Sequence, residues 1–204
     1  MTDSNTLLSS NLAGYQKTAE FSLKNNLKAV VLMNVAGFFL LILSVWLLIQ
    51  YTGLVRPQDF TAGFSGSIGS LGGMISGIAL LLLDIAVMVI LHEAVHGLFF
   101  WLFTGKRPLF AIRPGYAYAA APGSFLPRNR YLLVGLAPFV ILTLLGLALI
   151  PLVPQSFLLF LNVFIVMNFS GAVGDLWVVF WLLTKNSSAR IQDFGDRIEV
   201  FEPL

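Results

Sequence analysis

Five residues near the middle of the chain, His92-Glu93-Ala94-Val95-His96, combine two imidazoles and a carboxylate at a spacing that suits hydrolysis. On a helix, residues four apart share one face, so both imidazoles can bind a single metal ion. Glu93 stands about 100° round the helix from His92 and can reach a water on that metal without being a ligand. The chain's 2 histidines both fall in this pentapeptide and it has 0 cysteines. A catalytic zinc takes three protein ligands and keeps a position for water, so the third ligand must be a carboxylate.

Most carboxylates are excluded by position. Asp3, Glu20, Asp59, Asp193, Asp196, Glu199 and Glu202 lie outside the apolar segments, which leaves Asp84 and Asp175. Asp84 precedes His92 by two helical turns, roughly 12 Å along the axis, too far to share its metal. Measured from the ends of their segments, His92 and His96 lie roughly 10–17 Å deep and Asp175 roughly 12–14 Å deep. Asp175 is therefore the predicted third ligand. Asn168, seven residues earlier and on the same helical face, is a candidate hydrogen-bond donor to substrate or transition state; its alternative is a helix–helix contact. Asp84 either lines a water route to the metal or sits protonated against a neighbouring helix.

The elements that must hold these residues are membrane helices. Hydrophobic residues make up 57% of the 204 and charged residues 11%, far from the balance of a soluble domain. No charge occurs between Lys28 and Arg56, or from Tyr131 to Gly174. Runs of about 18 or more apolar residues are candidate transmembrane helices. Four spans are expected: Ala29 to Gln50, about Gly73 to Phe103, Tyr131 to Ile150, and Phe157 to Leu183. The first has no cleavage site after it and reads as a retained helix.

Eleven of the 12 basic residues fall in alternate segments: Lys17, Lys24 and Lys28; Lys106, Arg107, Arg113, Arg128 and Arg130; Lys185, Arg190 and Arg197. Arg56 alone lies opposite. Basic residues accumulate in the cytoplasm, so both termini are expected there, in a multi-pass protein of the cell membrane. A net charge of +2 gives no reason to expect nucleic acid as a partner. Trp46, Trp101 and Trp181 lie near span ends, as an interfacial belt.

Two connecting segments have character. Ser65, Gly69, Gly73 and Gly77 recur four apart, a smooth helix-packing stripe within the small-residue stretch Gly63 to Gly77, which reads as a flexible loop with a helix–helix contact, the alternative being a re-entrant substrate element. Arg113-Pro114-Gly115-Tyr116 is a turn signal between Leu109–Ile112 and Tyr116–Tyr118, which predicts a short cytoplasmic β-hairpin between helices two and three. The expected fold is thus an all-α polytopic membrane protein, one domain over 1–204, with four helices and that hairpin.

His92 to Gly97, together with Asn168-Phe169-Ser170-Gly171-Ala172-Val173-Gly174-Asp175, resembles a family of integral-membrane zincin peptidases, and more distantly the site-2 proteases. The resemblance implies His92, His96 and Asp175 as zinc ligands and Glu93 as the catalytic carboxylate. Gly135-Leu136-Ala137-Pro138 is similar to an Ala-Gly-Pro element of site-2 proteases, with Ala137 where they have glycine; Leu176 follows Asp175 where they have glycine. Asp193-Phe194-Gly195-Asp196 also resembles the peptidase family. The expected activity is zinc-dependent hydrolysis of a peptide bond in a membrane-protein or peptide substrate, within the cytoplasmic half of the bilayer. The alternative is a non-catalytic membrane metal-binding protein, transporter or adaptor, which would not need Glu93 as a base.

Overall fold

The structure, a computed structural model, describes residues 14–23, 26–61, 71–113 and 116–204. In chain order it contains β1 (Tyr15–Ser22), α1 (Leu27–Val55), α2 (Pro57–Thr61), α3 (Leu71–Thr104), β2 (Leu109–Arg113), β3 (Tyr116–Ala120), β4 (Phe125–Pro127), α4 (Arg128–Leu149), α5 (Gln155–Gly171), α6 (Val173–Leu183), β5 (Arg190–Asp193) and β6 (Arg197–Pro203).

Four helical stretches are long and apolar enough to cross a membrane: α1, α3, α4, and α5 with α6 over Gln155–Leu183. They mark a membrane protein. A helix that is apolar all round has no face suited to water, and only 11% of the most apolar window of α1 and 6% of that of α3 is buried within the protein. At 34 residues α3 is roughly 50 Å long, more than a bilayer's hydrocarbon thickness.

The fourth stretch is broken. Asn168-Phe169-Ser170-Gly171 is poor in helix formers, and the Ser170 hydroxyl donates back to the Val166 carbonyl. Helix α5 ends at Gly171, with the Ala172 N–H donating to the Asn168 carbonyl. A new helix starts at Val173 and carries Asp175 in its first turn.

The expectation of an all-α fold with a single hairpin is corrected. Among the described residues there are six strands in two antiparallel sheets. The expected hairpin is present as β2–β3, from Leu109↔Ala120 to Arg113↔Tyr116, although its turn residues Pro114 and Gly115 lie outside the described residues. The second sheet has the order β1-β6-β5-β4. Its first pairing joins the two ends of the chain, Tyr15↔Pro203 to Ser22↔Arg197, with a bulge between Lys17 and Ala19. Such a long-range pairing leaves no local mark in sequence. The alternation of Ile198 and Val200 with Glu199 does leave one, and it matches a half-buried strand. Of the expected small-residue stripe, Ser65 and Gly69 lie outside the described residues, and a side chain at Gly77 would meet open space.

The chain divides into two compact units. One comprises Met1–Met33, Glu93–Ala137 and Gly174–Leu204. Its core joins Leu126, Ile191, Ile198 and Val200 of the four-stranded sheet to Phe100, Tyr131, Val134 and Leu182 of the helices. The other comprises Asn34–His92 and Pro138–Val173, with a core of Leu48, Ile150 and Ile165. There the lone basic residue between the first two spans is fully engaged. Arg56 pairs with Asp59 and donates through Nη1 to the carbonyls of Ile150 (3.1 Å) and Val153 (2.5 Å), just past the end of α4.

Candidate metal centre

Helix α3 carries His92, Glu93 and His96 on little more than one turn. Both histidines are more than nine-tenths buried, at 9% and 8% exposure, so each ring nitrogen needs a defined partner.

For His96 that partner comes from a proline. Pro138 sits inside α4. Having no N–H, it cannot bond the carbonyl four residues back, and that carbonyl is Val134. His96 Nδ1 takes the vacated acceptor at 2.9 Å. A carbonyl only accepts, so Nδ1 carries the hydrogen and Nε2 of the neutral ring keeps its lone pair. Nε2 lies 3.3 Å from Asp175 Oδ1, which joins the start of α6 to α3.

His92 is held by Asn168, which is fully buried. The Asn168 Nδ2 donates to Thr143 Oγ1 at 3.1 Å and to the Pro138 carbonyl at 3.4 Å. Because the Pro138 oxygen can only accept, the amide nitrogen must face it, and Oδ1 faces His92 Nδ1 at 3.0 Å. His92 therefore also donates from Nδ1 and keeps Nε2 as its lone-pair nitrogen. Sequence reasoning placed Asn168 as a donor to substrate or transition state; in the structure its amide hydrogens go to Thr143 and Pro138.

One ligand atom from each of His92, His96 and Asp175 lies within 4.8 Å of the other two. This donor set fits zinc. It supplies two imidazoles and one carboxylate, the composition that leaves a zinc open to water. The His96–Asp175 separation matches the roughly 3.3–3.6 Å between neighbouring ligand atoms of a tetrahedral site. Glu93 is half-buried on the same helical turn. Asp84 is not in the group; it is half-buried two turns earlier, and its Oδ2 is a buried oxygen with no hydrogen-bond partner among the described residues.

The hairpin meets α3 one residue beyond the pentapeptide. A Cβ at Gly97 would lie 2.3 Å from Phe110 Cζ, so only glycine lets the β2 ring rest against the helix here. Ala94, Gly97, Leu98, Trp101, Pro108 and Phe110 line a shallow groove at this junction.

Sequence reasoning missed Val134 and Thr143. The signal for the first was present, because a proline in mid-span always frees a carbonyl one turn before it. Thr143 had no such mark.

The family described as "Putative zincin peptidase" matches residues 85–190, just over half of the chain and a stretch that contains His92, Glu93, His96 and Asp175. Comparison with the curated proteins and with solved structures finds no match. The extent of that family match, over the helices that carry the His-His-Asp group, places the chain in the putative zincin peptidase family.

Proposed function

We propose that this chain is a zinc-dependent intramembrane endopeptidase. The observation that carries the reading is the convergence of His92, His96 and Asp175, with both histidines turned by buried partners so that Nε2 is the lone-pair atom. His92, His96 and Asp175 hold the metal. When bound, zinc lowers the pKa of a water at the site and polarises the scissile carbonyl. Glu93 takes a proton from the attacking water and delivers it to the leaving amine, as a carboxylate beside the site can do in both directions. Asn168 and the Val134 carbonyl keep the two imidazoles in the required tautomer and direction.

The four apolar stretches cross the bilayer, with both termini and the β2–β3 hairpin on the cytoplasmic side, where basic residues gather. Cleavage then falls in the cytoplasmic half of the membrane. The substrate is a membrane protein or peptide that must be extended for its amide to reach the site. The two-stranded β2–β3 sheet offers an edge for strand addition, and Phe110 seats that strand against α3 at Gly97.

The test pairs metal content with proteolysis. Purified protein should hold about one zinc per chain. Glu93→Gln should keep the zinc and lose about 10²–10⁴-fold in hydrolysis. Asp175→Ala should weaken zinc binding by at least about tenfold, whereas Asp84→Asn should not. Cleavage by metal-free protein would end this reading. Function unchanged in Glu93→Gln would favour a metal-binding or transport role instead.

A further inference from the structure

Asp193 is a buried carboxylate with no place in the mechanism above. It lies at the end of β5 at 6% exposure, three residues beyond the stretch matched by the family. Both oxygens are fixed. Oδ1 accepts the Gly195 N–H at 2.6 Å, across a turn in which Gly195 adopts φ +91°, a conformation that favours glycine. Oδ2 accepts the Tyr131 hydroxyl at 2.5 Å.

Tyr131 stands in the first turn of α4 at 5% exposure, its ring edge-on to Phe100 with centroids 6.1 Å apart. Three residues later on the same helical face is Val134, whose carbonyl receives His96 Nδ1. Pro138 follows it by four and has no N–H, so that carbonyl lacks the i+4 donor that would otherwise hold its direction. Its aim at His96 depends on where the first turns of α4 lie. The Tyr131–Asp193 bond ties those turns to β5, an inner strand of the four-stranded sheet.

We infer that Asp193 is a positioning residue for the metal centre, acting through the Tyr131 hydroxyl on the α4 turn that presents the Val134 carbonyl to His96. The C-terminal sheet is then part of the machinery that orients a ligand. This inference rests on His92, His96 and Asp175 holding zinc.

Tyr131→Phe removes one oxygen and leaves the ring on Phe100. Zinc affinity, read by chelator competition, should fall about tenfold, the lower end for a group that orients a metal ligand, since Tyr131 acts one step further out. The visible spectrum of the cobalt-substituted protein should change as well, which loss of fold stability alone would not produce. Asp193→Asn, which still offers Tyr131 an acceptor, should lose less affinity than Asp193→Ala; if the alanine variant does not fold, Tyr131→Phe carries the comparison. A Tyr131→Phe affinity within about twofold of wild type, with His96→Ala abolishing zinc binding, would overturn this inference and leave the site reading intact. Zinc binding that survives His96→Ala would overturn the site reading and this inference with it.

Discussion

Replacing Asn168 by leucine separates two roles for that residue. Leucine has the heavy-atom count and branching of asparagine but is bulkier, so no cavity opens and the cost is some crowding at this fully buried position. The change removes the acceptor 3.0 Å from His92 Nδ1 and the donors to Thr143 and Pro138. A partner that orients a metal-binding histidine is worth about 10–100-fold in affinity, roughly 1.4–2.8 kcal/mol. The buried His92 N–H left without its acceptor costs the metal-free fold about 1–3 kcal/mol. Chelator competition in detergent reads the first quantity, and thermal unfolding of metal-free protein reads the second. Hydrolysis should recover when zinc is supplied in excess. Asn168→Asp, which still accepts from His92, should bind zinc nearly as well as wild type. Unchanged zinc affinity with hydrolysis lost at saturating zinc would refute this reasoning and make Asn168 a donor to the substrate.

Two further outcomes follow from groups outside the spans. Burial pushes the Asp193 carboxyl up to about 6 from its ordinary 3.8, against the lowering effect of the Tyr131 and Gly195 hydrogen bonds. A raised carboxyl binds its proton more tightly in the folded state, so its contribution is full below about pH 4 and is lost as pH rises through about 6, roughly 3 kcal/mol in all. Unfolding of the metal-free protein should therefore show wild type losing stability relative to Asp193→Asn across that window, and parallel profiles would contradict it. For topology, the chain has 0 cysteines, so single cysteines can be introduced without removing any. A label at Gln58 should react from outside the cell and one at Asn129 only after the membrane is breached; the reverse pattern would move the cleavage side to the outer half.

How much was legible in the sequence depended on the range of the forces involved. Long apolar runs are a local property, and α1, α3 and α4 agree with the expected spans to within a few residues at most ends. The hairpin strands were legible because a turn and its flanks are neighbours. The four-stranded sheet was not, because its first pairing joins β1 and β6 from opposite ends of the chain, and no local pattern shows which distant strand pairs with which. The break at Ala172 was hidden by treating Asn168 and Asp175 as one helical face. Asn168 lies in the last turn of α5 and Asp175 in the first turn of α6, so the two belong to successive helices rather than one.

At the candidate site the same distinction holds between ligand chemistry and ligand orientation. Residue type alone points to His92, His96 and a membrane carboxylate, because few other groups in such a chain can hold zinc. What turns the imidazoles is a carbonyl, an amide and a proline from other helices, and their roles depend on what fails to be bonded within α4. A proline there costs the helix one hydrogen bond, yet His96 fills the place it leaves, so the buried polar group is satisfied and the imidazole is oriented by a single contact. The Asp193–Tyr131 bond extends that dependence to the sheet formed by the two ends of the chain. An irregularity that weakens one element thus becomes the means by which distant segments set the geometry of the proposed metal centre.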